Sequence, residues 1–433
     1  MSDNNRLQRI RRQYLSQSFS LSYDEPLHLV RGTAQYLYDS KGNEYLDAVN
    51  NIQHVGHSHP KVTEVATEQY SKLNTNTRYL DETILDYAQD LTSKLPDNLN
   101  TCYFTNSGSE SNDLALRIAR NRSNSKETIV LEGAYHGHVT SLIEISPYKH
   151  NGPGGKGPPE YVHVVPMPDP FRGIYRGQSS GLKYAAEVET ILNEIRSKSK
   201  RVSAFIFEPI LGCGGQIIPP NGFLSSSFKM VRDNYGICIA DEVQVGFGRM
   251  GESFWGFETQ DIVPDIVTLG KSIGNGHPLS VVVTSEELSN EFNNGMEYFN
   301  SFGGNPVSCA IGHAVLKIIE EEELQKNAFR VGNELKTLLN ELKSVHDIIG
   351  DVRGKGLFLG IEIIRDIETL EPDKQVTHKI VNEMRNRKIL LSSDGPDRNV
   401  IKIKPPMVFN SSNALFLVET LDNVLSKSKN FIK

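Results

Sequence analysis

The chain reads as an α/β protein: a large, mostly parallel sheet covered by helices, with a smaller α+β domain beside it. Three observations predict this. Between about residues 100 and 305, short apolar runs (TCYFT, TIVLE, YVHVVP, AFIFEPI, ICIADE, IVTLG) alternate with stretches whose apolar residues recur at helical spacing, as expected of strands buried on both faces by helices. Several of these runs stop abruptly at polar or glycine-rich turns, the end of an α/β sheet where ligands bind. The length of 433 residues, 38% hydrophobic and 23% charged, also provides for a large core and more than one domain.

Taken in order, residues 1 to about 50 begin with a short helical pattern. QYLYDSKGNEYLD then places two strand-like runs around an SKGN turn, the pattern of a β-hairpin. This segment is assigned to the small domain. Residues 51–308 form the large domain, opening with two helical patterns in HPKVTEVATEQYSKL and ETILDYAQDLTSKL. KHNGPGGKGPPEY is an exposed Gly/Pro loop within it. Residues 309–433 complete the small domain, with a long helix through NPVSCAIGHAVLKIIEEEELQ, the strand-like DVRGKGLFLGIEII, a helix at HKIVNEMRNRKI and a last helix.

A net charge of -7 argues against nucleic acid and for small-molecule partners. Cys102, Cys213, Cys238 and Cys309 are few and lack zinc spacing, which suits reduced thiols in a cytoplasmic protein. No run approaches 18 apolar residues, so no membrane span is expected, and Asp3 argues against a mitochondrial presequence.

The most informative residue is Lys271, at the end of DIVPDIVTLGKS and just before the glycine-rich SIGNGHP. A lysine delivered by a strand end to a flexible turn packs poorly and serves well as an amine nucleophile, which points to Schiff-base chemistry. About thirty residues upstream, ICIADEVQVGFGR ends another apolar run on Asp241. An aspartate for a pyridinium nitrogen and a lysine for an aldehyde are the two protein groups that pyridoxal phosphate requires. In CYFTNSGSESNDLALRIAR, Ser107, Gly108 and Ser109 stand where a strand turns into a helix. Free backbone N–H groups and the helix dipole make such a turn an anion site; the same residues also read as a plain serine N-cap with Glu110 in the first turn. Tyr135 and His136 follow another strand-like run, where a ring can stack on a planar cofactor or simply pack. His54, His57, His59, His136 and His138 have glycine-broken spacing without matching cysteines or carboxylates, so no metal site is assigned. The GKS at Gly270–Ser272 lacks the Walker glycine, its place being taken by Asp265, and GKGLFLG has the wrong spacing for a dinucleotide turn.

NSGSE, YHGH, DEVQVGFGR, TLGKSIGNG and SFGGNP occur in the order and spacing of class III pyridoxal-phosphate-dependent aminotransferases of fold type I, and the resemblance runs from about Gly42 to the C-terminus. It implies that Lys271 binds the cofactor aldehyde, Asp241 pairs with the ring nitrogen and Gln244 lies near the ring hydroxyl. By the same resemblance Ser107, Gly108 and Ser109 hold the phosphate, Tyr135 or His136 covers the ring, and Ser301 reaches the cofactor phosphate of a neighbouring subunit in a homodimer. Within the class, NTNTRYL, CGGQIIPP, GMEYFN, SSDGP and RNVIKIKPPM resemble the phospho-lyases acting on phosphoethanolamine and 5-phosphohydroxylysine, and related bacterial enzymes acting on aminoethylphosphonates.

One departure bears on substrate. Many class III aminotransferases carry, just before the PP pair, an arginine that grips the substrate carboxylate and otherwise pairs with a glutamate in the EPI segment. Here Glu208 is present and the arginine position is Lys402. Lysine lacks the bidentate fork of arginine, so the carboxylate clamp is weakened. Lys402, Lys404, Arg398 and Arg78 are candidates to face a substrate phosphate or phosphonate, and at least two of the four are expected in ordinary surface or salt-bridged roles. Asn50, Asn51 and Gln53 are candidate pocket residues. The expected reaction is elimination of phosphate and ammonia from a phosphorylated amine such as O-phosphoethanolamine, giving an aldehyde. The alternatives are an ω-aminotransferase, an ammonia-lyase acting on a hydroxylated aminoethylphosphonate, and a non-catalytic scaffold, which the intact cofactor residues disfavour.

Overall fold

The computed structural model describes residues 3–427. Its centre is a seven-stranded sheet in the order Thr101–Thr105, Ser280–Thr284, Ile266–Leu269, Ile237–Asp241, Val202–Phe207, Glu127–Leu131, Val162–Val165. Six of the strands share one direction; Ser280–Thr284 runs against both of its neighbours. The six expected runs are all strands, and the reversed strand, SVVVT, is one that the reading of the sequence passed over although its β-branched run marks it.

Alternation along the strands separates two cores. Phe205, Phe207, Cys238, Ala240, Val267 and Leu269 pack on one face with helices Gly181–Ser197, Phe223–Asp233 and Pro306–Glu321. Ala204, Ile206, Ile237, Ile239 and Ile266 pack on the other, against Leu114, Ala115 and Ile118 of helix Gly108–Ser123. A period of two, buried on both sides, is why these segments read as continuous apolar runs.

The hairpin of Tyr36–Asp39 and Glu44–Asp47, with Leu29–Thr33 beside it, belongs to a second sheet whose fourth strand is Ile389–Leu390, parallel to Glu44–Asp47. A third sheet orders Ile349–Lys355, Phe358–Ile363, Val400–Ile403 and Ser392–Asp394, antiparallel throughout. Helices Leu324–Val345, Lys374–Asn386 and Ser411–Leu425 accompany it. This third sheet brings Asp394 and Lys402 onto adjacent strands, which matters below. Among the described residues no helix is long and apolar enough to cross a membrane, and all four cysteines are free thiols.

Candidate active site

Three strand ends and one helix start converge on a cavity of about 250 Å3, lined among others by Ser107, Gly108, Ser109, Tyr135, His136, Glu208, Asp241, Gln244 and Lys271. Asp241 is the last residue of its strand and is 5% exposed. Its Oδ2 accepts from Asn112 Nδ2 at 2.8 Å and lies 2.9 Å from His136 Nδ1, and its Oδ1 accepts from Val243 N–H at 3.1 Å. The ring of His136 is therefore tied to this carboxylate, with Nδ1 the donor, while its buried Nε2 has no partner among the described residues. Asn112 also donates to His136 O at 2.7 Å and accepts from Thr268 Oγ1 at 2.6 Å. Asp241 is thus clamped by an amide, an imidazole and a backbone N–H, with no donor from a permanent cation.

Lys271 follows Gly270 and opens a short turn, Lys271–Gly274, at φ 41°. That left-handed backbone is unfavourable for a residue with a side chain and is held by the surrounding structure. Among the described residues the Lys271 amine makes no hydrogen bond or ion pair. The chain before it packs closely: a Cβ on Gly270 would lie 3.3 Å from Gly108 Cα, and one on Gly108 would lie 2.9 Å from Val243 Cγ1. The helix start is thereby pressed against the strand ends that carry Asp241 and Lys271.

At that start Ser107 is the N-cap, its Oγ accepting from Glu110 N–H at 3.2 Å. Ser109 Oγ accepts from His138 N–H at 3.0 Å. The cap reading and the anion reading are compatible, because both hydroxyl hydrogens remain free to donate into the cavity that Ser107, Gly108 and Ser109 line. An anion donor turn, a clamped carboxylate and an unpaired lysine within one cavity fit pyridoxal phosphate on the phosphate, ring-nitrogen and aldehyde sides respectively.

Glu208 accepts Tyr135 N–H at 3.1 Å and Gly212 N–H at 2.9 Å. Burial pushes its carboxyl above the usual range. It does not pair with Lys402, which stands where many family members have the arginine that pairs with this glutamate. Lys402 Nζ lies 3.4 Å from Asp394 Oδ1, and Lys404 Nζ lies 3.3 Å from Asp394 Oδ2. Gln216 Nε2 also donates to Asp394, at 3.0 Å. Burial raises Asp394 but the two lysines outweigh it and bring its pKa below the usual value. Burial lowers Lys404 to about 8, against the pull of Asp394. Lys404 connects back to the cavity, with Nζ 3.4 Å from Gln244 Oε1, which also accepts from Asn51 Nδ2 at 3.2 Å.

Lys402, Lys404 and Arg398 are not among the residues lining the cavity of this chain, and neither are Asn50, Arg78 and Ser301. Asn50 spends its side-chain amide on Asp47 Oδ2 at 3.0 Å, so its neighbour Asn51 is the one that reaches Gln244. Arg78 is exposed, hydrogen-bonded to both oxygens of Glu297 and stacked 4.2 Å over the Phe299 ring. Neither is placed to meet a ligand beside Lys271 of its own chain. Ser301 is exposed, in the segment before helix Pro306–Glu321. Asn112, Thr268, Gln216 and Asp394 were missed; the available signals were Asn112 at the start of the helical run NDLALRIAR and Thr268 inside the apolar run IVTLG, with none for the other two.

Fold and site together define a pyridoxal-phosphate enzyme of fold type I. The model of the family described as aminotransferase class-III matches residues 20–425, and the chain belongs to that family. It is 49% identical over 414 residues to a Drosophila melanogaster protein named alanine–glyoxylate aminotransferase 2-like, covering 94% of this chain and 84% of that one. It is 42% identical over 417 residues to ethanolamine-phosphate phospho-lyase homolog 1 of Caenorhabditis elegans, covering 93% and 89%. Among solved structures, a phospholyase from Arthrobacter in complex with phosphoethanolamine matches with a TM-score of 0.92 and 36% identity over 97% of this chain and 99% of that one.

Proposed function

We propose that this enzyme is a phospho-lyase that releases phosphate and ammonia from a small phosphorylated amine of the O-phosphoethanolamine kind, leaving an aldehyde. The observation that carries the reading is the Lys402–Asp394–Lys404 cluster next to Gln244. Two cations share one carboxylate, so the group carries excess positive charge beside the reacting centre. A phosphate suits such point charges better than a planar carboxylate does, for which an arginine fork is the usual partner. The phospho-lyase names and the phosphoethanolamine of the relatives described above support the same reading.

When bound, pyridoxal phosphate supplies an electron sink conjugated to the substrate amine. The chain's residues do the rest. Asp241, held by Asn112 and His136, keeps the ring nitrogen protonated, and Ser107, Gly108 and Ser109 anchor the cofactor phosphate. Lys271 takes the proton from the carbon bearing the amine. Lys402 and Lys404 steady the departing phosphate on the adjacent carbon, so the C–O bond breaks with its electron pair going to phosphate. Water then releases ammonia and the aldehyde. Ser301, exposed on the surface of one chain, is assigned to the cofactor phosphate of a partner in a homodimer.

The second reading, transfer of the amino group to a keto acid, is favoured by the aminotransferase name of the Drosophila relative. Incubating the holoenzyme with phosphoethanolamine and no keto acid separates the two: stoichiometric phosphate, ammonia and acetaldehyde over many turnovers are expected, whereas phosphate release that stops without an acceptor sinks the lyase.

A further inference from the structure

Two acids line the cavity that holds Lys271: Asp241, which serves the cofactor ring, and Glu208. Glu208 directly follows the strand Val202–Phe207 and is 2% exposed. Its two oxygens each accept one backbone N–H, from Tyr135 and from Gly212. No cation pairs with it among the described residues; Lys402 and Lys404 are turned to Asp394 instead. A buried carboxyl without a counter-ion keeps its proton more readily than one in water, and burial moves Glu208 in that direction.

Its surroundings relate it to the leaving group rather than to the ring. A Cβ on Gly212 would lie 3.1 Å from Glu208 Oε2 and 2.6 Å from Gln244 Nε2, so the carboxyl and the amide flank the same glycine. Gln244 Oε1 in turn lies 3.4 Å from Lys404 Nζ, and Gln216 Nε2 bridges Gly212 O at 2.8 Å and Asp394 Oδ2 at 3.0 Å. Glu208 therefore belongs to the cavity of Lys271 and, through Gln244 and Gln216, reaches the edge of the lysine cluster. An ionised carboxylate in that place would repel a phosphate ester, whereas a neutral carboxyl can donate to it.

We infer that Glu208 is the general acid of the elimination, donating its carboxyl proton to the ester oxygen of the departing phosphate. The inference rests on the phospho-lyase reading and gives one of its steps to a named residue. Lys271 takes the proton from the carbon bearing the amine, and the C–O bond breaks with its electron pair on oxygen. That oxygen takes the proton of Glu208, which is left as a carboxylate. Glu208 regains a proton from water once phosphate has gone, and no electron donor or acceptor is needed.

Two esters read this step in the holoenzyme: O-phosphoethanolamine, whose phosphate leaves poorly without a proton, and O-sulfoethanolamine, whose sulfate leaves readily without one. Rates are taken per bound cofactor, read from its visible absorbance. In Glu208→Gln, kcat for phosphate release is expected to fall about a hundredfold relative to kcat for sulfate release, the lower range for loss of a positioned acid, with KM for phosphoethanolamine moving far less. Glu208→Asp, which still has a proton to give, is expected to release phosphate at least about tenfold faster than Glu208→Gln. Equal losses on the two esters overturn the acid and leave Glu208 a structural residue. Should the native enzyme release no sulfate, equal losses in the Gln and Asp variants overturn it instead. A native enzyme that releases no phosphate overturns the lyase reading itself, a result distinct from any that the two variants produce.

Discussion

At Asp241 one carboxylate receives donors at 2.8, 2.9 and 3.1 Å, none of them a permanent cation. At Asp394, on the other side of Gln244, one carboxylate is shared by two lysines at 3.3 and 3.4 Å. The first arrangement leaves a negative charge in search of a proton or cation; the second leaves a positive charge in search of an anion. Adjacent regions with opposite excess suit a cofactor whose ring nitrogen is protonated and a substrate whose far end is a dianion. They also differ in permanence. The short contacts at Asp241 pre-organise it for a resident group, and the longer ones at Asp394 can be exchanged for a visitor.

The largest effect is expected at Lys271, the residue that both regions serve. Lys271→Ala is expected to lower turnover at least a thousandfold, the upper range for loss of a general base, and to abolish the visible absorbance of the lysine-bound cofactor. A variant that stays yellow and active removes Lys271 from the mechanism. Next in size is Asp241→Asn, which keeps the shape and discards the charge. A loss of roughly a hundredfold in kcat is expected, in line with removing a pre-organised electrostatic group. Because asparagine also presents a donor to Asn112 or His136, weaker retention of the cofactor on dialysis accompanies it.

The charge of the lysine cluster depends on pH. Burial brings Lys404 to about 8, so it is charged below that pH and neutral above it. A cation that titrates away takes anion affinity with it: KM for phosphoethanolamine is expected to rise as the pH passes about 8, and inhibition by inorganic phosphate to weaken in step. Lys404→Met is expected to raise KM about tenfold at neutral pH and to erase the step. A step that survives in Lys404→Met belongs to another group.

How much of this the chain disclosed follows from distance along it. Lys271 and Asp241 each end an apolar run, so strand and chemistry are written side by side, and the serine turn is marked by the helix that follows. The clamp on Asp241 is not: Asn112 comes from 129 residues away and His136 from 105, and nothing local distinguishes either from a packing residue. Asp394 lies in SSDGP, which marks the resemblance but no site; only the third sheet sets its strand beside the one that carries Lys402. Arg78 and Asn50 show the converse. Their partners, Glu297 and Asp47, satisfy them elsewhere, and a reading by residue type cannot see a partner already taken.

The smallest expected effect concerns Glu242, which sits beside Asp241 in the chain but turns away from the ligand. Its carboxylate accepts Gly256 N–H at 2.9 Å and Phe257 N–H at 2.8 Å, yet burial dominates those two bonds and raises its pKa to about 8. The folded protein therefore holds a proton that the unfolded chain, at about 4.5, has released, and stability falls as the pH climbs through that interval. Glu242→Gln titrates nowhere in this range but offers one acceptor where two N–H groups point. Its melting temperature should lie below that of the native protein by the most in mild acid. The deficit should shrink steadily with rising pH and level off once the pH passes about 8. A constant deficit across the range would mean that Glu242 is ionised throughout, the two backbone donors outweighing burial.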